Sequence, residues 1–366
     1  MRSVIVIGAG IVGASTAFRL AQAGASVTVI DRAEPGSGTT SRSFAWINAN
    51  QKTPRSYFDL NLAGMNEHKR LDEELDGAPW LHQTGNLVWT GDPVRYDELF
   101  RRTERLKSWG YNVEWLTAAD VNRDLEPNLA FSGPTMRIAW FPDEGWLNGP
   151  EFVRSLLDRA IDAGASVRSG QEVRDIIPGD GSVKVILRDG QELTADAVVN
   201  CAGPAADRVA AMVDRSLPLS PTRGLLLRVE VEPGTLSRVV HGSDVNLRPD
   251  GDGRVLLHHD SIDPLICDKS EVPLDDPTCR ELCRRAKRIL PGITGRTIVE
   301  TRVGVRPYPE DDVSCVGAIS GIPGYYEVVT HSGVTLGPLL GRLITEEILY
   351  GTVDPILEPF RAERFS

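Results

Sequence analysis

Gly8, Gly10 and Gly13, spaced G-x-G-x-x-G in VIVIGAGIVGAS, are residue types suited to holding a diphosphate against a backbone. Gly8 permits a tight turn, Gly10 lets the chain approach a pyrophosphate, and Gly13 lets a helix pack closely on a strand. A carboxylate about 20 residues further on can take a ribose hydroxyl, and Asp31 stands there. These residues need a strand, a glycine turn, a helix and a second strand to position them. Val4 to Ile7 is an apolar β-branched run, as in a strand buried on both faces. Ala14, Ala17, Phe18, Leu20 and Ala21 then recur at helical spacing, and the strand-like Ser26 to Ile30 ends at Asp31. The helix N-terminus offers N–H groups and a positive dipole end to the phosphates. Together these features predict dinucleotide binding.

Arg2, the apolar run and A-Q-A-G-A (residues 21–25) also have the outline of a secretory signal. A signal gives no reason for a second strand ending in an acid, so the segment is read as part of the folded protein. The chain has 366 residues, 25% charged and 41% hydrophobic, which fits two domains or one elaborated α/β domain. A formal net charge of −11 argues against a nucleic-acid partner, and RELCRRAKR (Arg280 to Arg288) reads as the wet face of a helix. Five cysteines show no framework spacing; Cys279 and Cys283 lack the partners a zinc site needs, so no metal is expected. No apolar run reaches the ~18–20 residues that span a membrane, and a cytoplasmic location is expected.

The glycine motif alone does not separate FAD from NAD. Later segments bear on that choice. PGSGTTSRSFAWINAN follows closely on Asp31, and a helix-and-strand pattern starts at Gly149-Pro150 and leads to SVKVILRDG and ELTADAVVNCAGP. GVRPYPEDDVSCVGAI and YYEVVTHSGVTLGPLLGRLITEEIL stand near the end. In this order the segments resemble the FAD-dependent D-amino-acid oxidase family, which includes glycine oxidase, sarcosine oxidase and D-amino-acid dehydrogenase. The resemblance covers nearly the whole chain. It implies an α/β (α+β) fold, with a Rossmann-like FAD-binding domain and an interleaved, mostly antiparallel-sheet substrate domain. The FAD-binding domain is expected from residues 1–80, 145–215 and 300–366, and the substrate domain from 81–144 and 216–299. TGNLVWTG, TMRIAWFP, RGLLLRVEV, VVHGSDVNLRP and GRVLLHHD independently read as strands. Helical patterns cover 55–76, 95–109 and 275–290.

The resemblance implies FAD contacts from Gly8, Gly10, Gly13, Asp31 and Arg32, and from Thr39, Thr40, Ser41 and Arg42 in the following loop. It adds Val173, Cys201, Ala202 and Gly203 from the middle of the chain, and Arg306, Ser332, Gly333, Val334 and Thr335 from its end. Arg306, in GVRP, matches the arginine that binds the substrate carboxylate in glycine oxidase, a task that suits a planar guanidinium. Asp244 and Asn246 fall where glycine oxidase places polar substrate-pocket residues, with a solvated strand end as the structural alternative. His331 is a candidate base or a hydrogen-bonding structural residue; its H-S-G-V-T-L-G-P run is about two residues shorter than is usual in the family. His258 and His259 alternate along a strand, so only one faces the cleft, and His259 is included among the candidates. Asn48 and Asn50 are candidates to reach flavin or substrate.

Some sarcosine oxidases of this family attach FAD to a cysteine near such an R-P segment; RVGVRPYP contains none, so the resemblance implies non-covalent FAD, and GRVLLHH has no lysine of the kind those enzymes use toward oxygen. The electron acceptor is therefore O2 or another oxidant. The activity implied is oxidation of the C–N bond of an amine or amino acid, often carboxylate-bearing, by hydride transfer to flavin N5, giving an imine. A 2-hydroxy-acid oxidase or dehydrogenase on the same fold is the alternative, and a flavin-bearing non-catalytic subunit is a third reading.

Overall fold

The computed structural model describes residues 1–132, 137–251, 253–293 and 298–365. Two compact units are present: Met1–Trp80, Asn148–Thr222 and Val305–Ser366 form the first, Leu81–Leu147 and Arg223–Gly304 the second.

The first unit is built on a six-stranded sheet. Ser3–Ile7 pairs in parallel with Ser26–Ile30 on one side and Ala197–Asn200 on the other, and Tyr325–Val329 and Ser166–Arg168 extend it. Cys315–Ala318 closes one edge antiparallel to Tyr325–Val329. A central parallel strand is covered on both faces, which is why Val4, Ile5, Val6 and Ile7 are all apolar and all buried.

The chain turns at Gly8, with φ +103°, into the helix Ile11–Gln22. A Cβ on Gly8 would lie 2.4 Å from the Cys201 carbonyl oxygen, and one on Gly13 only 1.8 Å from the Gly8 carbonyl oxygen. No side chain fits at either position. Small residues also bring the helix Gly333–Tyr350 against Ile11–Gln22, since a Cβ on Gly341 would be 2.6 Å from the Ser15 backbone. At Gly64 of the helix Arg55–Glu74, a Cβ would be 2.7 Å from the Thr335 carbonyl oxygen. Leu336, Leu339, Leu340, Leu343 and Ile344 are buried along the C-terminal helix, each contributing roughly 1.5–3 kcal/mol by burial.

The second unit carries an eight-stranded, mostly antiparallel sheet in the order Ile298–Arg306, Thr222–Glu230, Arg254–His258, Asn246–Pro249, Val239–His241, Asn86–Val88, Arg137–Phe141 and Glu114–Thr117. Side chains alternate as a strand requires. Leu225, Leu227 and Val229 enter the core, while Arg228 pairs with Asp250 at 2.5 Å and with Glu300 at 2.8 Å. The helix Pro277–Ile289 buries Cys279, Leu282, Cys283 and Ala286 and exposes Arg280, Arg284, Lys287 and Arg288, the wet face expected of this basic segment.

The patterned helices occur at Arg55–Glu74, Pro93–Ser108 and Pro277–Ile289. Pro93–Ser108 starts before the expected residue 95 because Asp92 accepts the Val94 N–H at 2.8 Å and proline occupies the first turn. Thr135 and Met136 of TMRIAWFP, and Asp252 in the segment RPDGDG, lie outside the described residues. Among the described residues no helix is long and apolar enough to cross a membrane.

Candidate active site

Asp31 braces the glycine turn. Its Oδ2 accepts the Ala9 N–H at 2.7 Å and its Oδ1 the Ala33 N–H at 2.9 Å. A carboxylate has about four acceptor positions, so capacity remains for ribose hydroxyls. Thr40 Oγ1 accepts the Ile11 N–H at 3.1 Å, at the first residue of the helix, which ties the hydroxyl-rich loop to the glycine turn. Thr39 Oγ1 donates to the Val305 carbonyl at 2.6 Å, bringing this loop to the residue before Arg306. Ser41 donates to the Ser37 carbonyl at 2.9 Å, and Arg32 and Arg42 are exposed.

Cys201 is buried behind Gly8, where desolvation pushes its thiol up to about 12, so it packs rather than reacts. Ala202 and Gly203 follow it at the end of Ala197–Asn200, and Val173 is buried at the start of the strand Val173–Pro178.

A second constellation forms where the C-terminal helix begins. Ser332 is its N-terminal capping position, and Gly333 sits beside the glycine turn, since a Cβ there would lie 3.3 Å from Ile11 Cγ2. Ser332 Oγ accepts from Lys52 Nζ and from Tyr57 Oη, both at 2.9 Å. The Ser332 N–H donates to Thr330 Oγ1 at 3.0 Å. Thr335 Oγ1 accepts the Asn48 N–H at 3.2 Å, and the Val334 carbonyl accepts from His68 at 2.8 Å.

His331 stacks on Tyr308 with ring centroids 3.9 Å apart and planes 13° from parallel. The Tyr308 N–H donates to the Arg306 carbonyl at 3.2 Å, so Arg306, Tyr308 and His331 form one connected group. Burial pushes the His331 imidazole down to about 3, and the neighbouring Lys52 and Arg306 charges add to the effect. The ring is neutral at working pH and a weak base.

The remaining candidates lie in the second unit. Asn246 occupies its strand opposite His241 and His258. The Asp244 carboxylate is engaged by Arg288, and its carbonyl accepts from Arg285 at 3.2 Å, both on the helix Pro277–Ile289. His259 Nδ1 caps a short 3-10 helix by accepting the Ser261 N–H at 3.2 Å. His258 Nε2 lies 3.7 Å from carboxylate oxygens of both Asp260 and Asp263. Asp244 and His259 are thus committed to local structure, whereas Asn246 presents a polar group on the sheet.

Residues 3–347 match the family described as FAD dependent oxidoreductase. The chain belongs to this family. Among relatives of this FAD-dependent oxidoreductase is YurR of Bacillus subtilis (strain 168), also an oxidoreductase, 27% identical with 98% of both chains covered. Glycine oxidase of Geobacillus kaustophilus is 26% identical over 99% of this chain and 96% of its own. The crystal structure of glycine oxidase from the same species superposes with a TM-score of 0.87, covering 100% and 99% of the two chains at 24% identity. The structure of iminodiacetate oxidase (IdaA) from Chelativorans sp. BNC1 gives a TM-score of 0.84 at 26% identity, with 98% of both chains covered.

The side chains present fit FAD. The cradle at Gly8 and Gly13 admits no Cβ, and Asp31 retains acceptor capacity beside it. Asn50 is 1% exposed, yet neither atom of its amide has a hydrogen-bond partner, nor does Asn48 Oδ1. Buried amides without partners cost about 1–3 kcal/mol each, a cost that a polar ligand group reaching them would offset. The sequence pointed to Asn48, Asn50, Arg306 and His331, but not to Lys52, Tyr57 or Tyr308. Tyr308 lay one residue beyond the R-P pair, and Lys52 carried no motif at all.

Proposed function

We propose that this flavoenzyme oxidises the C–N bond of a carboxylate-bearing amine or amino acid, with FAD held non-covalently. The first unit is the FAD-binding domain and the second the substrate domain. The observation that carries the reading is the connected group of Arg306, Tyr308 and His331 at the start of the C-terminal helix. Names of similar proteins support it, since glycine and iminodiacetate are both carboxylate-bearing amines.

Gly8, Gly10, Gly13 and Asp31 hold the dinucleotide end, and Ser332 to Thr335 with Asn48 and Asn50 line the flavin end. When bound, FAD supplies a two-electron acceptor for the substrate α-carbon. Arg306 fixes the substrate carboxylate bidentately, which sets the α-carbon's position and orientation. Tyr308 and His331 stack face to face beside it, and the Tyr308 N–H holds the Arg306 carbonyl.

A neutral His331 with its pKa near 3 is a poor acceptor for an alcohol proton. An amine in its neutral form carries its own lone pair and needs no such base, so the site favours amines over 2-hydroxy acids. Asn246 is assigned to the polar lining of the substrate domain, with Asp244 just before its strand and His259 just after the neighbouring one in supporting roles. Cys315 is fully buried and its thiol is pushed up to about 12, chiefly by desolvation, which leaves RVGVRPYP without a cysteine suited to a flavin bond.

The test is anaerobic addition of matched panels of amines and 2-hydroxy acids to the FAD-loaded protein. Loss of the visible flavin absorbance with a carboxylate-bearing amine, and none with its hydroxy analogue, is expected. Bleaching by hydroxy acids alone contradicts the reading, and readmission of air shows whether O2 is the acceptor.

A further inference from the structure

The segment 48–52 touches the first turn of the C-terminal helix at both of its ends. Asn48 N–H donates to Thr335 Oγ1 at 3.2 Å, and Lys52 Nζ donates to Ser332 Oγ at 2.9 Å. Asn50, between them in the chain, is 1% exposed, with no partner for either amide atom. The Lys52 ammonium also lies 5.7 Å from the centre of the Tyr57 ring, and the Tyr57 hydroxyl donates to the same Ser332 oxygen. Arg306 meets the adjacent residue, His331, through Tyr308. Ser332 is therefore bonded to one cationic side chain, and the charge of a second, Arg306, acts on its neighbour His331.

That placement gathers positive charge. The N-terminus of an 18-residue helix already carries about half a positive charge, and the Lys52 ammonium on the Ser332 hydroxyl beside it adds to it. Arg306 brings a second full charge to the same dipeptide, and the imidazole between them is neutral. Groups so arranged repel one another and gain when anions come between them. Asn50 adds a buried amide, with both a donor and an acceptor to offer.

We propose that Lys52 is a second anion-binding residue of this site, and that the substrate is an amine carrying two carboxylates, one held by Arg306 and one by Lys52. The proposal rests on the reading of Arg306 as the first carboxylate anchor. The two cations suit the two tasks. The guanidinium fork fixes one carboxylate in a single orientation, while the ammonium on its four-carbon stem follows a second carboxylate at variable distance.

The experiment uses the FAD-loaded protein and redox-inert probes: acetate and propionate against malonate, succinate and glutarate, followed by titration calorimetry and by perturbation of the flavin spectrum. At least one dicarboxylate binds ~10-fold or more tightly than either monocarboxylate. Lys52→Met abolishes that advantage and Lys52→Arg restores part of it, while Arg306→Ala weakens both classes. FAD content and circular dichroism establish that each variant is folded. Equal affinity of the wild-type protein for mono- and dicarboxylates overturns the proposal, as does an advantage that survives Lys52→Met. Because these probes need no turnover, the outcome stands whether or not amines bleach the flavin, and the two readings fail separately.

Discussion

Asp31 Oδ2 accepts the backbone N–H of Ala9 at 2.7 Å, so the acid at the end of the second strand also clamps the turn between the first strand and its helix. A charge-assisted bond of this kind contributes about 1.5–3 kcal/mol. Asp31→Ala is expected to destabilise the flavin-free protein by roughly that amount, besides weakening FAD binding. Urea unfolding of the apoprotein checks it. An unchanged midpoint would show that the carboxylate serves the cofactor alone.

Gly13 gives a sharper steric prediction. A methyl group there meets the Gly8 carbonyl oxygen at 1.8 Å, and both partners are backbone, so neither yields cheaply. Gly13→Ala is expected to cost at least ~1–3 kcal/mol and to yield protein depleted of FAD. Gly91→Ala, where a Cβ meets nothing within 4 Å, is the control. Flavin-to-protein absorbance ratios and thermal melting report both effects.

Glu327 lies fully buried in the parallel sheet, and desolvation raises its carboxyl to about 7 despite nearby Arg215. The folded state then holds a proton that the unfolded chain, titrating near 4.5, has released. Stability is therefore greatest below pH 4.5 as far as this group is concerned and falls as pH rises to about 7, by about 3 kcal/mol in all. Glu327→Gln is expected to remove this slope and to raise the melting temperature at pH 8. Arg215 stays anchored by the Phe365 and Ala362 carbonyls at 2.9 and 2.6 Å. A variant whose melting curve parallels that of the wild type from pH 5 to 8 would contradict the account.

What the sequence discloses depends on how local the cause is. The glycine turn is legible because close backbone approach excludes side chains at fixed spacing, and Asp31 because it ends the very next strand. The start of Pro93–Ser108 is set by Asp92 and Pro93, again within a few residues. Lys52 and Ser332 are 280 residues apart, and no periodicity predicts their meeting. Asp244 reads as a pocket residue by the resemblance or as a solvated strand end, and only folding brings Arg288, 44 positions later, onto it. The Tyr308–His331 stack belongs to the same class, since Tyr308 follows the strand Ile298–Arg306 and His331 precedes the C-terminal helix, 23 positions away.

In the proposed reaction, Arg306 anchors the substrate carboxylate for amine oxidation. The most direct test compares wild-type protein and Arg306→Ala by rapid anaerobic mixing with the best carboxylate-bearing amine, reading the rate of flavin bleaching against substrate concentration. Removing one partner of a buried charge pair costs about 2–5 kcal/mol. The account predicts an apparent Kd raised ~30-fold or more, with FAD content unchanged. An apparent Kd equal to that of the wild type, in a variant that still carries FAD, would contradict it.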